Sequence, residues 1–389
     1  MNVPPRPPSS RIEVVDALRG FAVFSIMLLH NLEHFDFYYF PNSLPSWMKI
    51  SDPIVWKVLF FLFSGKSYAI FALLFGFTFF IQSNNQAKKG LRFRGRFAWR
   101  LLLLLLFGLF NSVFYQGDIL TMYAVIGFVL IPVEKLSTRT VLVIAIILML
   151  QPLEWIRFLT ICLSPNVSPL EPASNFYFGQ TAAYLPEHSF WATALGNLTT
   201  GKIAVLYWSW ENGRFFQTAS LFMLGMLIGR NGLFHTGEKN KAFWKITFVR
   251  SCVSFLLFYS IRENLFHWEM PAPVWNQFAM IISTWSNFAF MLVIVSGFYL
   301  LYQKILPGWF KGSFAPFGRM SLSNYILQSV AGSFIYYGYG LGLYRMTGAT
   351  ICLMIGVMLF LMQLWFCRWW LNRHLQGPFE NLWHRATWI

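Results

Sequence analysis

The stretch DALRGFAVFSIMLLHNLEH, residues 16–34, decides the fold. Between Arg19 and His30 it holds ten residues without a charge. A helix on the surface of a soluble protein would interrupt such a run with a polar face. A helix crossing a bilayer needs about 20 mainly apolar residues, and this stretch confines its charges to its two ends.

The rest of the chain follows suit. Of 389 residues, 56% are hydrophobic, 20% aromatic and only 12% charged, with a mean hydropathy of +0.51. A soluble domain carries about 25% charge, so the charge here is too sparse to cover a water-facing surface. A soluble enzyme, a disordered protein and a disulfide scaffold are excluded. What remains is an all-α, polytopic membrane helix bundle, a single integral membrane domain over residues 1–389.

Ten apolar stretches qualify as spans: 17–34, 66–82, 98–116, 118–134, 139–160, 214–231, 244–261, 276–303, 317–337 and 349–370. The segment 53–64 is apolar but ends at Ser64-Gly65-Lys66, and it reads as an interfacial helix leading into the second span. One long helix would set Lys66 in mid-bilayer, which is costly.

The loops test the count. Arg6 and Arg11 precede the first span, and Lys88, Lys89, Arg92, Arg94 and Arg96 follow the second. Lys135 and Arg139 follow the fourth, Arg230, Lys239 and Lys241 the sixth, Lys304 and Lys311 the eighth, and Arg373 and Arg385 the tenth. Every second loop is basic, which predicts both termini in the cytoplasm. The surplus of 30 Lys+Arg over 15 Asp+Glu, a net charge of +15, thereby sets topology. Nucleic acid is not an expected partner.

The N-terminal MNVPPRPPSSR lacks the pattern of a signal peptide. The four cysteines, Cys162, Cys252, Cys352 and Cys367, have no metal spacing and read as small buried hydrophobes. The longest non-membrane stretch, about 161–213, falls on the extracytoplasmic side and reads as a partly ordered cap between spans five and six.

Ionisable groups inside spans are expensive and are functional candidates by default. Helical spacing sets Asp16, Arg19, Val23, Met27, His30 and His34 on one stripe. Arg19 and His30 are eleven residues apart, about 16 Å along the axis. The same spacing relates Arg100, Asn111 and Tyr115 in the third span. By depth alone, His30, His34, Lys66, Asp118 and Tyr123 converge in the outer half of the bundle. Asp118 also suits the simple role of helix N-cap, and the histidines suit bonds between helices.

In the ninth span Ser321, Asn324 and Gln328 share a face, suited to interhelical hydrogen bonds. Arg19, Arg96, Arg100 and Arg319 gather at the cytoplasmic ends. They suit either a phosphate-bearing ligand or lipid headgroups. Gly225 and Gly229 form a GxxxG, a close-packing signal.

Several motifs together carry a resemblance. They are Asp16-Ala-Leu-Arg-Gly-Phe-Ala, Gly65-Lys66 with Phe75-Gly76-Phe77, Gly117-Asp118-Ile-Leu-Thr-Met-Tyr123, Gly318-Arg-Met-Ser-Leu-Ser-Asn-Tyr-Ile-Leu-Gln328 and Gly377-Pro-Phe-Glu380-Asn-Leu-Trp383. In this order, from residue 11 to about 388, the chain resembles the YeiB-like family of bacterial membrane proteins, catalogued as a domain of unknown function. That family is similar, more remotely, to transmembrane acyltransferases such as lysosomal heparan-α-glucosaminide N-acetyltransferase. The resemblance implies a bundle in the bacterial cytoplasmic (inner) membrane. It would take acetyl groups from cytoplasmic acetyl-CoA and pass them to an extracytoplasmic acceptor such as an envelope glycan. It also implies an Asp-x-x-Arg-Gly opening, a far asparagine and a catalytic histidine. Asn31 is the nearest asparagine, displaced by one residue. His30 stands at the expected position, and His34 is the next histidine.

On that reading Arg19, Arg96, Arg100, Arg319 and Asn324 hold the acetyl-CoA donor. His30 or His34 serves as base or acyl carrier, Glu33 or Asp118 orients the imidazole, and Lys66 or Asn31 stabilises the oxyanion. No metal is expected. The partners are the bilayer, a small-molecule or glycan acceptor and, as an option, a second copy of the chain. The alternative is a transporter or exporter that uses the intramembrane His/Glu/Asp set as a proton relay.

Overall fold

The structure is a computed structural model that describes residues 12–39, 41, 44–91, 93–163, 171–304 and 308–388. Arg92 and the N-terminal MNVPPRPPSSR, with its Arg6 and Arg11, lie outside the described residues. The fold is all-helical, 79% helix, with no strand among the described residues.

The central helix α1 is Glu13–Leu32. It is followed by α2 (Ser46–Phe63), α3 (Ser67–Ala87) and α4 (Arg94–Ser112). Next come the short α5 (Leu120–Gly127) and α6 (Leu130–Val133), then α7 (Thr138–Met149) and α8 (Pro152–Leu163). A cap follows, made of α9 (Ala173–Thr181), α10 (Phe190–Gly196), a π-helical turn at Asn197–Gly201 and α11 (Lys202–Glu211). The chain continues with α12 (Arg214–Arg230), α13 (Glu238–Asn264) and α14 (Ala272–Lys304). It ends with α15 (Gly308–Arg319), α16 (Ser321–Tyr336), α17 (Ala349–Leu371) and α18 (Pro378–Thr387).

By length and composition, six helical segments among the described residues can cross a membrane: Ser46–Ala87, Arg94–Ser112, Thr138–Leu163, Glu238–Asn264, Ala272–Gln303 and Ala349–Leu371. Their outer faces are apolar. Val253, Leu256 and Leu257 on α13 and Met354, Met358, Leu361 and Trp365 on α17 are exposed. That is the reverse of a water-soluble surface. The polar groups turn inward instead: Ser25, Asn31, Asn111, Asp118, Asn324 and Gln328 are buried.

Two expected spans are broken and a third, 139–160, bends within the membrane-crossing segment Thr138–Leu163, each for a local reason. Stretch 118–134 becomes α5 and α6, because Pro132 has no N–H and its ring opposes the carbonyl four residues back. Stretch 139–160 bends at Gln151, which adopts a left-handed φ of 56° just before Pro152, since a residue preceding proline is pushed out of the α region. Stretch 317–337 divides at Met320, where α15 ends and α16 starts. The segment expected to be interfacial is the longer helix α2, which runs from Asp52 beside Thr350 to Phe61 beside Tyr259 and Phe290. Of the cysteines, Cys352 and Cys367 are buried, whereas Cys162 is exposed on α8.

Close backbone approach holds the centre. A Cβ on Gly20 would lie 2.1 Å from the Phe314 carbonyl oxygen, and one on Gly318 would lie 1.8 Å from that of Asp16. Helices α1 and α15 therefore touch backbone to backbone, as small residues permit in membrane bundles. The GxxxG glycines play the same part, Gly225 against the Leu73 carbonyl and Gly229 against the Phe80 ring. Some loop cations bind the protein itself: Arg94 pairs with Glu134 at 2.8 Å, and Arg230 donates to the Glu134 carbonyl at 2.6 Å.

Candidate functional site

The inward face of α1 borders two cavities, one near each end of the helix. The first, of about 290 Å³, is lined by Arg19, Arg100 and Arg319 together with Thr78, Gln82, Ser321, Glu380, Trp383 and His384. We call it the arginine cavity. The second, of about 550 Å³, is lined by His30, Glu33, Asp36, Tyr115, Asp118, Lys202 and Arg214, with Tyr38, Tyr68 and Trp208. This is the histidine cavity. Tyr325 of α16 lines both. Its hydroxyl accepts from the Ile119 amide at 3.1 Å, which pins the ring between them.

In the arginine cavity each guanidinium is aimed by the protein. Arg19 bonds Asp16 at 3.0 Å and Thr78 at 2.9 Å. Arg100 lies 4.2 Å above the Trp383 ring, a cation–π arrangement, and also bonds Thr387 at 3.3 Å. Arg319 donates to the Leu375 carbonyl at 3.1 Å.

The wall opposite is α18, the amphipathic C-terminal helix. Its Glu380 carboxylate accepts from the Leu322 amide at 2.7 Å, the Ser323 amide at 3.0 Å and the Ser323 hydroxyl at 2.5 Å. Glu380 thus caps α16 from a distant part of the chain, where local sequence supplies no capping side chain. Burial pushes this carboxyl above its ordinary range, against the pull of the Ser323 and Leu322 bonds.

In the histidine cavity the His30 Nδ1 lies 2.9 Å from the Tyr115 hydroxyl and 3.8 Å from a Glu33 carboxylate oxygen. Asp118 is buried, accepting from Asn111 at 2.9 Å and from the Thr121 amide at 2.9 Å. The second bond satisfies an amide in the first turn of α5 from one residue before its N-cap, Ile119. Lys202 reaches over from the cap, with Nζ 3.7 Å from the Asp118 carboxylate and 3.2 Å from its carbonyl. Burial lowers the Lys202 pKa, while Asp118 pulls it back up.

Asp36 stands on a chain reversal in which His34, Phe35 and Asp36 all have positive φ, 47°, 56° and 65°. A left-handed residue other than glycine costs roughly 1–2 kcal/mol. The turn is held by the Phe35 amide on the His30 carbonyl at 2.7 Å and by the Tyr337 hydroxyl on the Phe35 carbonyl at 2.5 Å. Strain held in this way clusters at working sites. Asp36 is partly exposed, but to the cavity under the cap. That burial, then the charge of Glu33, raise its pKa to about 8.

The expected five-residue convergence is therefore corrected. His30 and Asp118 share a cavity, with Glu33 beside them. His34 turns away, its ring between the Phe37 carbonyl at 3.3 Å and the Thr347 hydroxyl at 3.1 Å, and it lines a separate cavity of about 420 Å³ with Lys49 and Asp52. Asn31 faces the opposite side, donating to the Met27 carbonyl at 2.8 Å and accepting from Tyr336 at 3.0 Å. Lys66 lies over the Phe61 and Phe290 rings, behind the wall formed by Ser64, Gly65 and Ser67. Tyr123 lines the arginine cavity instead.

Two of the five expected donor-binding residues also lie elsewhere. Arg96 stacks 4.2 Å from Trp388, outside the cavity lining. Asn324 bonds the Phe317 carbonyl at 2.9 Å and Cys367 at 3.2 Å, a contact within the bundle. The sequence analysis assigns no role to several polar lining residues, among them Asp36, Lys202, Arg214, Tyr325 and Glu380. For Tyr325 and Glu380 the signal was present in the quoted motifs. For Asp36 and Lys202 only their cost of burial was available.

Among the described residues no group of three His, Cys, Asp or Glu is placed to hold a metal ion. Residues 228–389 match a family described as "Protein of unknown function (DUF418)". The uncharacterised protein YxaH of Bacillus subtilis (strain 168) is 27% identical, covering 98% of this chain and 95% of that protein. YeiB of Escherichia coli (strain K12), also uncharacterised, is 24% identical, over 96% of this chain and 95% of its own. An uncharacterised 39.9 kDa protein in the amylase 3' region of Bacillus acidopullulyticus is 23% identical, over 97% and 94%. No solved structure matches. The chain is thus similar over nearly its whole length to YxaH and YeiB, and its residues 228–389 match the DUF418 family model.

Proposed function

We propose that the chain is a membrane-embedded acyltransferase of the bacterial inner membrane, with about ten spans and both termini in the cytoplasm. It moves an acetyl or other acyl group from cytoplasmic acyl-CoA to an extracytoplasmic acceptor, an envelope glycan being the favoured class. The observation that carries the reading is the pair of cavities that share Tyr325 as a wall, one with three guanidiniums and the other with His30. Guanidiniums suit phosphate oxygens through paired charge-assisted bonds. The donor set fits an acyl-CoA, with Arg19, Arg100 and Arg319 as its anionic anchors. At about 290 Å³ the cavity suits the narrow thioester arm. Arg19 and His30 are about 16 Å apart along α1, a span such an arm can cover.

The chain's own residues supply the rest. His30 is the base for an acceptor hydroxyl or amine. Glu33 sits beside it, with a carboxylate oxygen 3.8 Å from the His30 Nδ1. Lys202 and Arg214 face the same cavity and offset negative charge developing on the carbonyl oxygen.

The test is free coenzyme A release by purified protein in nanodiscs, given acetyl-CoA and a panel of amino-sugar and hydroxyl acceptors. Acetyl-CoA is expected to raise the melting temperature saturably, and an Arg19→Gln/Arg319→Gln variant to lose that shift. His30→Ala is expected to bind but not to turn over. Full turnover in His30→Ala would sink the mechanism. Movement of an intact solute with no coenzyme A released would favour the transporter reading.

A further inference from the structure

We propose that Asp36, acting through the Tyr115 hydroxyl, decides which nitrogen of His30 carries the proton and so whether the imidazole can act as a base. The catalytic meaning rests on the function proposed above; the proton arrangement does not.

The geometry is a chain of three groups. The Tyr115 hydroxyl lies 2.9 Å from His30 Nδ1, and the Asp36 carboxyl sits beside that hydroxyl and is influenced by it. A Cβ placed on Gly117 would meet an Asp36 carboxyl oxygen at 2.2 Å and the Tyr115 oxygen at 2.3 Å, so both atoms crowd the same bare glycine. A phenol has a single hydrogen to donate. When Asp36 is ionised it can only accept, so Tyr115 gives its hydrogen to Asp36 and accepts from His30 Nδ1–H. The neutral imidazole then has a bare Nε2, free to take a proton. When Asp36 is protonated it donates to the Tyr115 oxygen, and Tyr115 turns its hydrogen to Nδ1. The imidazole then carries its hydrogen on Nε2 and cannot serve as a base there.

The same chain can carry a proton. As the acceptor gives its proton to Nε2, Nδ1–H passes to the Tyr115 oxygen and the Tyr115 hydrogen passes to the Asp36 carboxylate. The acceptor loses one proton, Asp36 gains one, and the imidazole stays neutral. The acceptor's electron pair forms the new acyl bond, and the thiolate leaves with the pair of the broken C–S bond. Asp36 later releases its proton to the water under the cap.

The surroundings place the switch in an accessible range. Facing Asp36 are Glu33 just past α1, Lys202 from α11, and the phenols of Tyr115, Tyr38, Tyr184, Tyr325 and Tyr337. Asp118 lies beyond Lys202. Burial and Glu33 raise the Asp36 pKa, and the Tyr115 hydroxyl and Lys202 lower it.

The experiment is 15N NMR of histidine-labelled protein in nanodiscs from pH 6 to 9, with His30 assigned by subtracting the His30→Gln spectrum. It needs neither donor nor acceptor, so it stands apart from the test of acyl transfer. We expect the neutral imidazole to change from the Nε2–H to the Nδ1–H form as pH rises through the Asp36 transition. In Asp36→Asn and in Tyr115→Phe that change is expected to vanish, the two variants guarding against misfolding of either. If transfer is active, kcat should rise about tenfold per pH unit below the transition in the parent protein and lose that limb in Asp36→Asn. A tautomer constant with pH in the parent, or a transition that persists in both variants, overturns the proposal.

Discussion

Glu380→Ala should detach α18 from the bundle and open the arginine cavity. In the parent, one Glu380 oxygen accepts from the Leu322 and Ser323 amides at 2.7 and 3.0 Å, and the other takes the Ser323 hydroxyl at 2.5 Å. Truncation leaves two backbone donors at the start of α16 without an acceptor. Each such loss costs about 1–3 kcal/mol. Water entering from the cavity meets part of the need, so a total of about 3 kcal/mol is the working figure. Local opening of this size speeds amide exchange roughly 150-fold, since about 1.4 kcal/mol is a factor of ten.

The assay is hydrogen exchange by mass spectrometry on peptides covering 321–326 and 378–387, with limited proteolysis after residue 372. Glu380→Gln provides the control. Its carbonyl oxygen can accept from both amides and its NH2 can donate to Ser323, so exchange should stay within about threefold of the parent on this hydrogen-bond argument. Because Glu380, Trp383 and His384 line the cavity, the alanine variant should also lose donor-induced stabilisation. Equal exchange in Ala, Gln and parent proteins would refute the capping argument.

Gly20→Ala should destabilise by about 1–3 kcal/mol or more, because its methyl would lie 2.1 Å from the Phe314 carbonyl oxygen, whereas Gly95→Ala, with nothing within 4 Å, should be silent in a detergent melting assay. Lys202→Met should cost about 3 kcal/mol by leaving Asp118 buried without its cation, and Asp118→Asn added to it should recover at least half; equal melting temperatures for the single and double variants would count against the pairing. Asp36 carries a stability signature: its folded pKa, about 8, exceeds an unfolded value near 3.9. The folded protein thus holds the extra proton between those values, and stability falls as pH rises through that window. Asp36→Asn should flatten that slope in melts taken from pH 5 to 8.

Much of this molecule was legible without coordinates. The apolar runs and sparse charge dictate helices in a membrane-like setting, since a chain with so few charged groups cannot hydrate its surface. The Arg19-to-His30 stripe was readable because helical periodicity is local, and both residues do line cavities on one side of α1. The same logic misled at its ends. Asn31 follows His30 but is rotated about 100° around the axis, which turns it toward Tyr336. His34 keeps the spacing of the stripe, yet lies past the end of the helix at Leu32, where the left-handed turn swings it to Thr347.

What only the tertiary structure decided are the contacts between distant segments. Lys202 meets Asp118 across 84 residues, and Glu380 caps a helix 57 residues before it. Tyr115 meets His30 across 85 residues. The sequence by itself determined which segments are helical, which are apolar, and which side chains are too polar to be left alone inside. It did not determine their neighbours. Burial energy depends on the kind of residue removed from water and is nearly blind to partner, whereas hydrogen bonds and ion pairs require a particular atom within about 3 Å. That placement is set by how the helices pack, through contacts such as Gly20 on Phe314 and Gly318 on Asp16.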